Sequence, residues 1–115
     1  MPPAADALAA LSSHWRAIGR HDFAAAYAGL APGTVPQTEA QWISDEQSAG
    51  IQAVHFDGQA ISTNGHDATV RVVTLITHDV RFGCRSWTGS YRMIRAGGEW
   101  LIARAGIAPR PCAPG

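Results

Sequence analysis

The sequence contains no lysine: all nine positive charges are arginines, set against nine Asp plus Glu in 115 residues, for a formal net charge of zero. A chain without a charge excess has no electrostatic footprint for nucleic acid or an anionic membrane surface, so no nucleic acid partner is expected. All-arginine usage, with abundant Ala and Gly, points to a GC-rich coding source. Long apolar runs are missing too. Stretches such as Phe23 to Ala26 and Val72 to Val73 fall far short of the roughly 20 residues of a spanning helix, so no membrane insertion is expected. Met1-Pro2-Pro3 leads into an alanine-rich amphipathic segment without a basic n-region, so no signal peptide is visible. Cysteine is limited to two residues, and neither C-x-x-C nor H-x-x-x-H spacing occurs, which argues against a zinc site. Nucleophile elbow, phosphate loop, dinucleotide fingerprint and kinase signature are all absent. No metal and no cofactor is therefore expected.

What remains is a chain 46% hydrophobic and only 16% charged, apolar enough for one core and too apolar for disorder. A single domain over residues 1–115 is expected, with a core of about 5–108 and a tail at 109–115. Helical signals fill the first forty-odd residues and strand signals the rest, an order that predicts α+β. Leu8, Leu11, Trp15 and Ile18 line one face of a first helix that Gly19 ends. Asp22 caps a short second helix carrying Phe23, Tyr27 and Leu30, stopped by Pro32-Gly33. Thr38 and Gln41 have capping-box spacing, so a third helix with Trp42 and Ile43 runs to about Gly50.

From Ile51 the pattern alternates. Asn64-Gly65 predicts a two-residue hairpin turn that makes His55 oppose Thr74, Asp57 oppose Val72, Gln59 oppose Val70 and Ile61 oppose Ala68. A third strand through Trp87, Gly89, Tyr91 and Met93 turns at Gly97-Gly98 into a fourth, from Trp100 to Ile107. That hairpin makes Tyr91 face Arg104 and Met93 face Ile102. Both of its faces are partly apolar, so the pattern does not say which one packs on the helices. The same register sets residue 84 opposite residue 111, one position from Cys112. With a small irregularity near Pro109 and Pro111, Cys84 and Cys112 come within disulfide reach and place the domain outside the cytosol. The alternative is two unrelated free thiols in a cytoplasmic protein.

Ile18-Gly19-Arg20-His21-Asp22 with Phe23 and Tyr27, the Trp87-x-Gly89-x-Tyr91 strand and Gly98-Glu99-Trp100-x-Ile102 resemble the nuclear transport factor 2-like superfamily over nearly the whole chain. Cys84, Trp87-Thr88-Gly89-Ser90-Tyr91 and Cys112 are similar to actinobacterial extracytoplasmic members. The resemblance implies three N-terminal helices on a strongly curved, mainly antiparallel four-stranded sheet, a cystatin-like cone. It also implies a pocket for one small, mostly apolar ligand and a homodimer through the sheet face. The superfamily holds ketosteroid isomerases, polyketide cyclases and dehydratases beside many noncatalytic domains, so fold alone does not assign activity.

Candidate site residues follow from which polar groups point inward. His55 and Asp57 share one strand face and form either a base with its orienting carboxylate or part of a solvated outer face. His14 aligns with the position where ketosteroid isomerase-like members carry a Tyr donor; a packing residue is the alternative. Asp45 and Glu46 stand where that subfamily carries its general base, yet both fit a solvated helix face. Tyr91 and Arg104 either bind a carboxylate or phenolate at the pocket mouth or form an outward cation–aromatic pair. Of the four tryptophans, Trp42 and Trp87 are the candidates for a pocket wall, and most of the rest fill core. The expected role is a noncatalytic domain for a small apolar ligand or a partner protein, extracytoplasmic and clamped by Cys84 and Cys112. The alternative is a cofactor-free isomerase, cyclase or hydratase for a hydrophobic polycyclic or polyketide-like substrate, working through His14, His55 or Asp57. A third reading is a scaffold module whose cone is filled by its own rings.

Overall fold

The computed structural model describes residues 3 to 112; Met1, Pro2 and residues 113–115 of the expected tail lie outside them. Three helices, α1 (Pro3–Gly19), α2 (Phe23–Ala28) and α3 (Glu39–Ala49), precede four strands, β1 (Ile51–Thr63), β2 (Asp67–Asp79), β3 (Gly83–Ala96) and β4 (Glu99–Pro111). The strands form one antiparallel sheet in the order β1-β2-β3-β4. It is curved but unclosed, an α+β cone with the helices against its concave side. Among the described residues no helix is long and apolar enough to cross a membrane.

The helix ends follow the predicted chemistry. The Asp22 side chain accepts from the Ala25 backbone N–H at 3.3 Å, and Thr38 and Gln41 complete their capping box. Gly50 closes α3 at φ +68°, a left-handed position that suits glycine. α2 stops at Ala28, before Pro32-Gly33, because the chain from Gly29 on is drawn to the sheet. The Ile102 N–H donates to the Gly29 carbonyl and the Ala31 N–H to the Ile102 carbonyl, both at 2.8 Å.

The strand registers differ from expectation, and each difference has a local cause. The tip of the first hairpin is Gly65-His66, not Asn64-Gly65. The Asn64 carboxamide oxygen accepts from the N–H groups of His66 and Asp67 at 3.0 and 2.8 Å, and the Asn64 N–H donates to the Asp67 carbonyl. Asn64 thus serves as a side-chain-bonded turn entry rather than a turn centre. His55 consequently opposes Ile76 and Asp57 opposes Thr74, while Val72 and Val70 face Gly58 and Ala60, and Ala68 faces Thr63. In β2 the buried positions are Ala68, Val70 and Val72, then Leu75, Thr77 and Asp79. The slip between Arg71 and Ile76 exchanges the two faces in mid-strand, as one extra residue must.

β3 and β4 keep the predicted pairing from Ala96–Glu99 to Met93–Ile102, then shift by one so that Arg92 opposes Arg104 and Tyr91 opposes Ala105. Ala103 is the extra residue. Beyond it Ala105 and Ile107 pair with Tyr91 and Gly89, and the strand runs to Pro111, four residues past the expected end. The same shift puts Cys112 level with Cys84. The Cys112 N–H donates to the Cys84 carbonyl at 3.1 Å, and the two residues form a disulfide with a Cα–Cα distance of 5.5 Å. Because Cys112 turns its N–H toward β3, Pro109 and Pro111 turn their nitrogens to the open edge, where no donor is lost.

Where β3 and β4 cross closely, Gly89 adopts φ +131° and a Cβ there would stand 2.0 Å from the Gly106 carbonyl oxygen. Gly89→Ala is expected to lower unfolding free energy by about 3 kcal/mol or more, from backbone strain plus overlap. Gly33→Ala, at φ +83° with nothing within 4 Å, should lose only about 1–2 kcal/mol. Denaturant titration of the two variants measures the contrast, and equal losses would contradict this account of the crossing.

Candidate functional site

The cone holds a cavity of about 340 Å³, within the usual range for small-molecule sites. α1 contributes His14, Trp15 and Ile18; the segment after α2 contributes Leu30, Thr34 and Val35; α3 contributes Trp42 and Glu46. The sheet closes it with Tyr91 from β3 and Ile102 to Ala105 and Ile107 from β4. The bulge at Ala103 thus decides which β4 residues form the wall.

Its polar groups are few and specifically held. His14 is buried at 8% exposure, and its Nδ1 lies 2.8 Å from the Ala26 carbonyl oxygen. A carbonyl only accepts, so Nδ1 carries the proton, which leaves Nε2 as an acceptor in the neutral ring. Burial pushes the His14 pKa below its ordinary value, opposed in part by that hydrogen bond. The imidazole meets the Trp15 ring edge-on at 5.6 Å and the Trp42 ring at 6.4 Å. Trp42 is itself buried and lies 5.6 Å from Tyr27.

Tyr91 is 3% exposed; burial drives its phenol well above the ordinary tyrosine range, with Trp15 opposing in part. The phenol is therefore a neutral donor at any physiological pH. The Trp15 indole N–H is buried without a well-formed hydrogen bond among the described residues, and its nearest acceptor is the Tyr91 hydroxyl, whose raised pKa it opposes. Thr34 is already committed, donating to the Ile102 carbonyl at 2.7 Å. Glu46 has a raised pKa: burial is the main cause, the carboxylates of Asp45 and Asp79 add to it, and Arg85 opposes. Among the described residues no three His, Cys, Asp or Glu side chains are grouped to share a metal ion.

The structure brings His14, Trp42, Tyr91 and Arg104 to one cavity, although Tyr91 and Arg104 are not the cross-strand pair expected. Tyr91 opposes Ala105, and Arg104, exposed at the rim, opposes Arg92. Trp87 lies elsewhere, with its indole N–H donating to Thr77 Oγ1 at 2.9 Å and Arg85 stacked 4.7 Å over its ring. His55 and Asp57 are exposed. In β1 it is Val54, Phe56 and Gly58 that turn inward, so the pair does not reach the cavity. His55 borders instead an open groove of about 470 Å³ between α1 and β1, with Arg16 and Arg20. A second outer groove, about 540 Å³, runs between α1 and the β3–β4 turn past Asp6, Arg20, Arg95 and Glu99. Both are larger than the cone cavity; the second also touches His14 and Trp100, but neither includes Trp42, Tyr91 or Glu46.

Trp15 and Thr34 are the wall residues that the pattern did not single out, and Glu46, aligned with a general base, was expected on a solvated helix face but borders the cavity. The signal for Glu46 was present: it lies four residues after the buried Trp42 in α3, hence on the same helix face.

No family model and no curated protein matches the chain. Solved structures do. Bd1075 of Bdellovibrio bacteriovorus superposes with a TM-score of 0.67 at 13% identity, over 89% of this chain and 39% of that one. A provisionally assigned scytalone dehydratase of Novosphingobium aromaticivorans gives 0.61 at 10% identity, over 88% of this chain and 79% of that one. A provisionally assigned aromatic ring hydroxylase of the same organism gives 0.65 at 14%, over 99% and 94%. The chain thus spans well under half the length of the Bdellovibrio protein. The two Novosphingobium proteins are nuclear transport factor 2-like folds, and at these identities the likeness shows the fold and nothing finer.

The His14 environment sets a pH dependence. Unfolded, His14 takes up a proton near 6.5; folded, only at lower pH. Below about 6.5 the unfolded state therefore binds more protons, and this group makes stability fall as the pH falls. In His14→Gln, whose amide can still donate to the Ala26 carbonyl, unfolding free energy should decline less between pH 7.5 and 5.5 than in the parent. Identical declines would refute the assignment of a neutral, buried His14.

Proposed function

We propose that the protein binds one small, flat, mostly apolar molecule in the cone, with an acceptor oxygen directed at the Trp15 indole N–H and the Tyr91 hydroxyl. The observation that carries this is the ring-lined cavity whose wall sets the Trp15 indole N–H, which lacks a well-formed hydrogen bond, beside the Tyr91 hydroxyl. A carbonyl or phenolic oxygen would satisfy it, the rings would flank a planar ligand, and neutral His14 Nε2 would accept from a ligand hydroxyl. Arg104 at the rim suits a ligand carboxylate. The role is noncatalytic binding. The Cys84–Cys112 disulfide supports an extracytoplasmic setting, and a homodimer through the outer sheet face accords with half-exposed Ile61 and Val73.

One observation favours a second reading, cofactor-free proton transfer. Glu46 holds a carboxyl with a raised pKa on the same wall as neutral His14, a pairing suited to moving a proton next to a ligand carbonyl.

2-Tetralone, a fused-ring ketone, separates these readings in one experiment. Tryptophan quenching should show saturable one-to-one binding that Ala105→Phe, filling the cavity from β4, abolishes. Tyr91→Phe should weaken binding about fivefold to tenfold, the worth of about one hydrogen bond. Binding that does not saturate, or that survives Ala105→Phe unchanged, would end the ligand reading. In D₂O the binding role predicts exchange of the ketone's α-protons at the buffer rate. Faster exchange that Glu46→Gln removes would establish the catalytic reading in its place.

A further inference from the structure

Across three adjacent strands the ladder aligns His78, Cys84 and Cys112: His78 pairs with Cys84, and Cys84 pairs with Cys112 through the disulfide and the Cys112 N–H bond. The central sulfur therefore has an imidazole on one side and the partner sulfur on the other. His78 Nε2 stands 3.6 Å from Cys84 Sγ, and the contact is open to solvent. Cys112, a strand further away, lies about 10 Å from the His78 backbone.

The charged groups around this row leave the imidazole available to the sulfur. Asp79, the carboxylate next to His78 in the chain, turns to the other face, where its fully buried side chain pairs with Arg85 at 3.2 Å and accepts from the Phe82 N–H. Arg85 is taken up there too, stacked 4.2 Å over Phe82. On the His78 face the opposed β1 residue is Ala53, with His55 two positions along. On β4, exposed Arg110 stands two positions from Cys112, opposite Ser86. A thiolate at Cys84 would thus meet an imidazole, with an arginine carried two positions along the neighbouring strand, surroundings that favour it.

We propose that Cys84–Cys112 is a thiol–disulfide exchange site in which His78 stabilises Cys84 as the leaving thiolate, and that its opening loosens the end of β4 that walls the cavity. The thiolate of an external dithiol attacks Cys112 Sγ and forms a mixed disulfide there. The Cys84–Cys112 bond breaks, and its electron pair passes to Cys84 Sγ, which accepts a hydrogen bond from the His78 imidazole beside it. The second thiol of the reductant, after giving its proton to solvent, attacks its own sulfur in the mixed disulfide. Cys112 is released as a thiolate and takes up a proton. The protein gains two electrons and the dithiol becomes a cyclic disulfide. Ala105 and Ile107, upstream of Cys112 in β4, line the cavity, so the crosslink and the wall belong to one strand segment. The exchange itself does not rest on the ligand reading.

The test uses the oxidised full chain and dithiothreitol at pH 7, with reduction followed by alkylation and mass. His78→Gln should be reduced about three to ten times more slowly than the parent, because a poorer leaving thiol departs more slowly. In Cys112→Ser, with His78 untouched, iodoacetamide should alkylate Cys84 with a pH midpoint below the ordinary thiol value of about 8.5. Adding His78→Gln should restore that value. On reduction of the parent, the amides of Gly106, Ala108 and Arg110, which face β3, should exchange with deuterium at least tenfold faster while those of α1 do not change. An unchanged reduction rate in His78→Gln, or a Cys84 midpoint at or above 8.5, would overturn the exchange site. Unchanged amide exchange in β4 would overturn its link to the wall.

Discussion

One extra residue in β4 sets the geometry on which the site depends. Up to Ile102 the last hairpin follows the register that its paired glycines dictate; past Ala103 every residue is moved one place. Because side chains alternate across a strand, a single-residue shift turns each later side chain to the opposite face. That shift turns Ala105 and Ile107 to the concave side beside Tyr91 and Gly89, and brings Cys112 level with Cys84. A similar slip between Arg71 and Ile76 bends β2. Long antiparallel strands with bulges curl, and a curled sheet against three helices leaves the hollow that the cavity occupies.

Inside that hollow the chemistry is set by burial more than by charge. His14 is kept neutral with a fixed tautomer by the Ala26 carbonyl, Tyr91 is kept a phenol, and Glu46 is pushed toward its protonated form. The Trp15 indole N–H has no well-formed hydrogen bond and stands beside the Tyr91 hydroxyl. A wall made of neutral donors, a neutral acceptor and aromatic rings recognises an uncharged ligand by shape and by one or two oriented oxygens. Arg104 at the rim is the point where a ligand charge would be met.

Much of this was legible in the residues, and the limits have physical reasons. Asp22, Thr38 with Gln41, and Gly50 marked the helix ends through local hydrogen bonding, and local chemistry reads directly from sequence. Gly97-Gly98 set the last hairpin for its first four residue pairs. Asn64-Gly65 marked a turn but not its centre, because Asn64 sits at the turn's entry and closes it through its carboxamide instead of occupying the tip. The bulges at Ala103 and in mid-β2 carry no signature in the chain; they arise from the fit of the sheet to the helices. His55 and Asp57 were assigned to a shared strand face, correctly, but which face is concave depends on the first hairpin and the helices together. Glu46 was visible one turn from Trp42, yet its exposure depends on how α3 lies on the sheet. The disulfide was nearly within reach of the unbulged register, and the bulge closed the remaining step.

The register beyond Ala103 is the claim on which wall, crosslink and ligand reading all stand, and it can be read in solution from proton–proton contacts across β3 and β4. Since Cys84 and Cys112 form a hydrogen-bonded pair, odd-numbered β3 residues lie in close pairs with their α-protons facing. The α-protons of Tyr91 and Ala105 should show a strong contact. A strong contact from Tyr91 to Arg104 instead would show an unbulged strand and contradict that register.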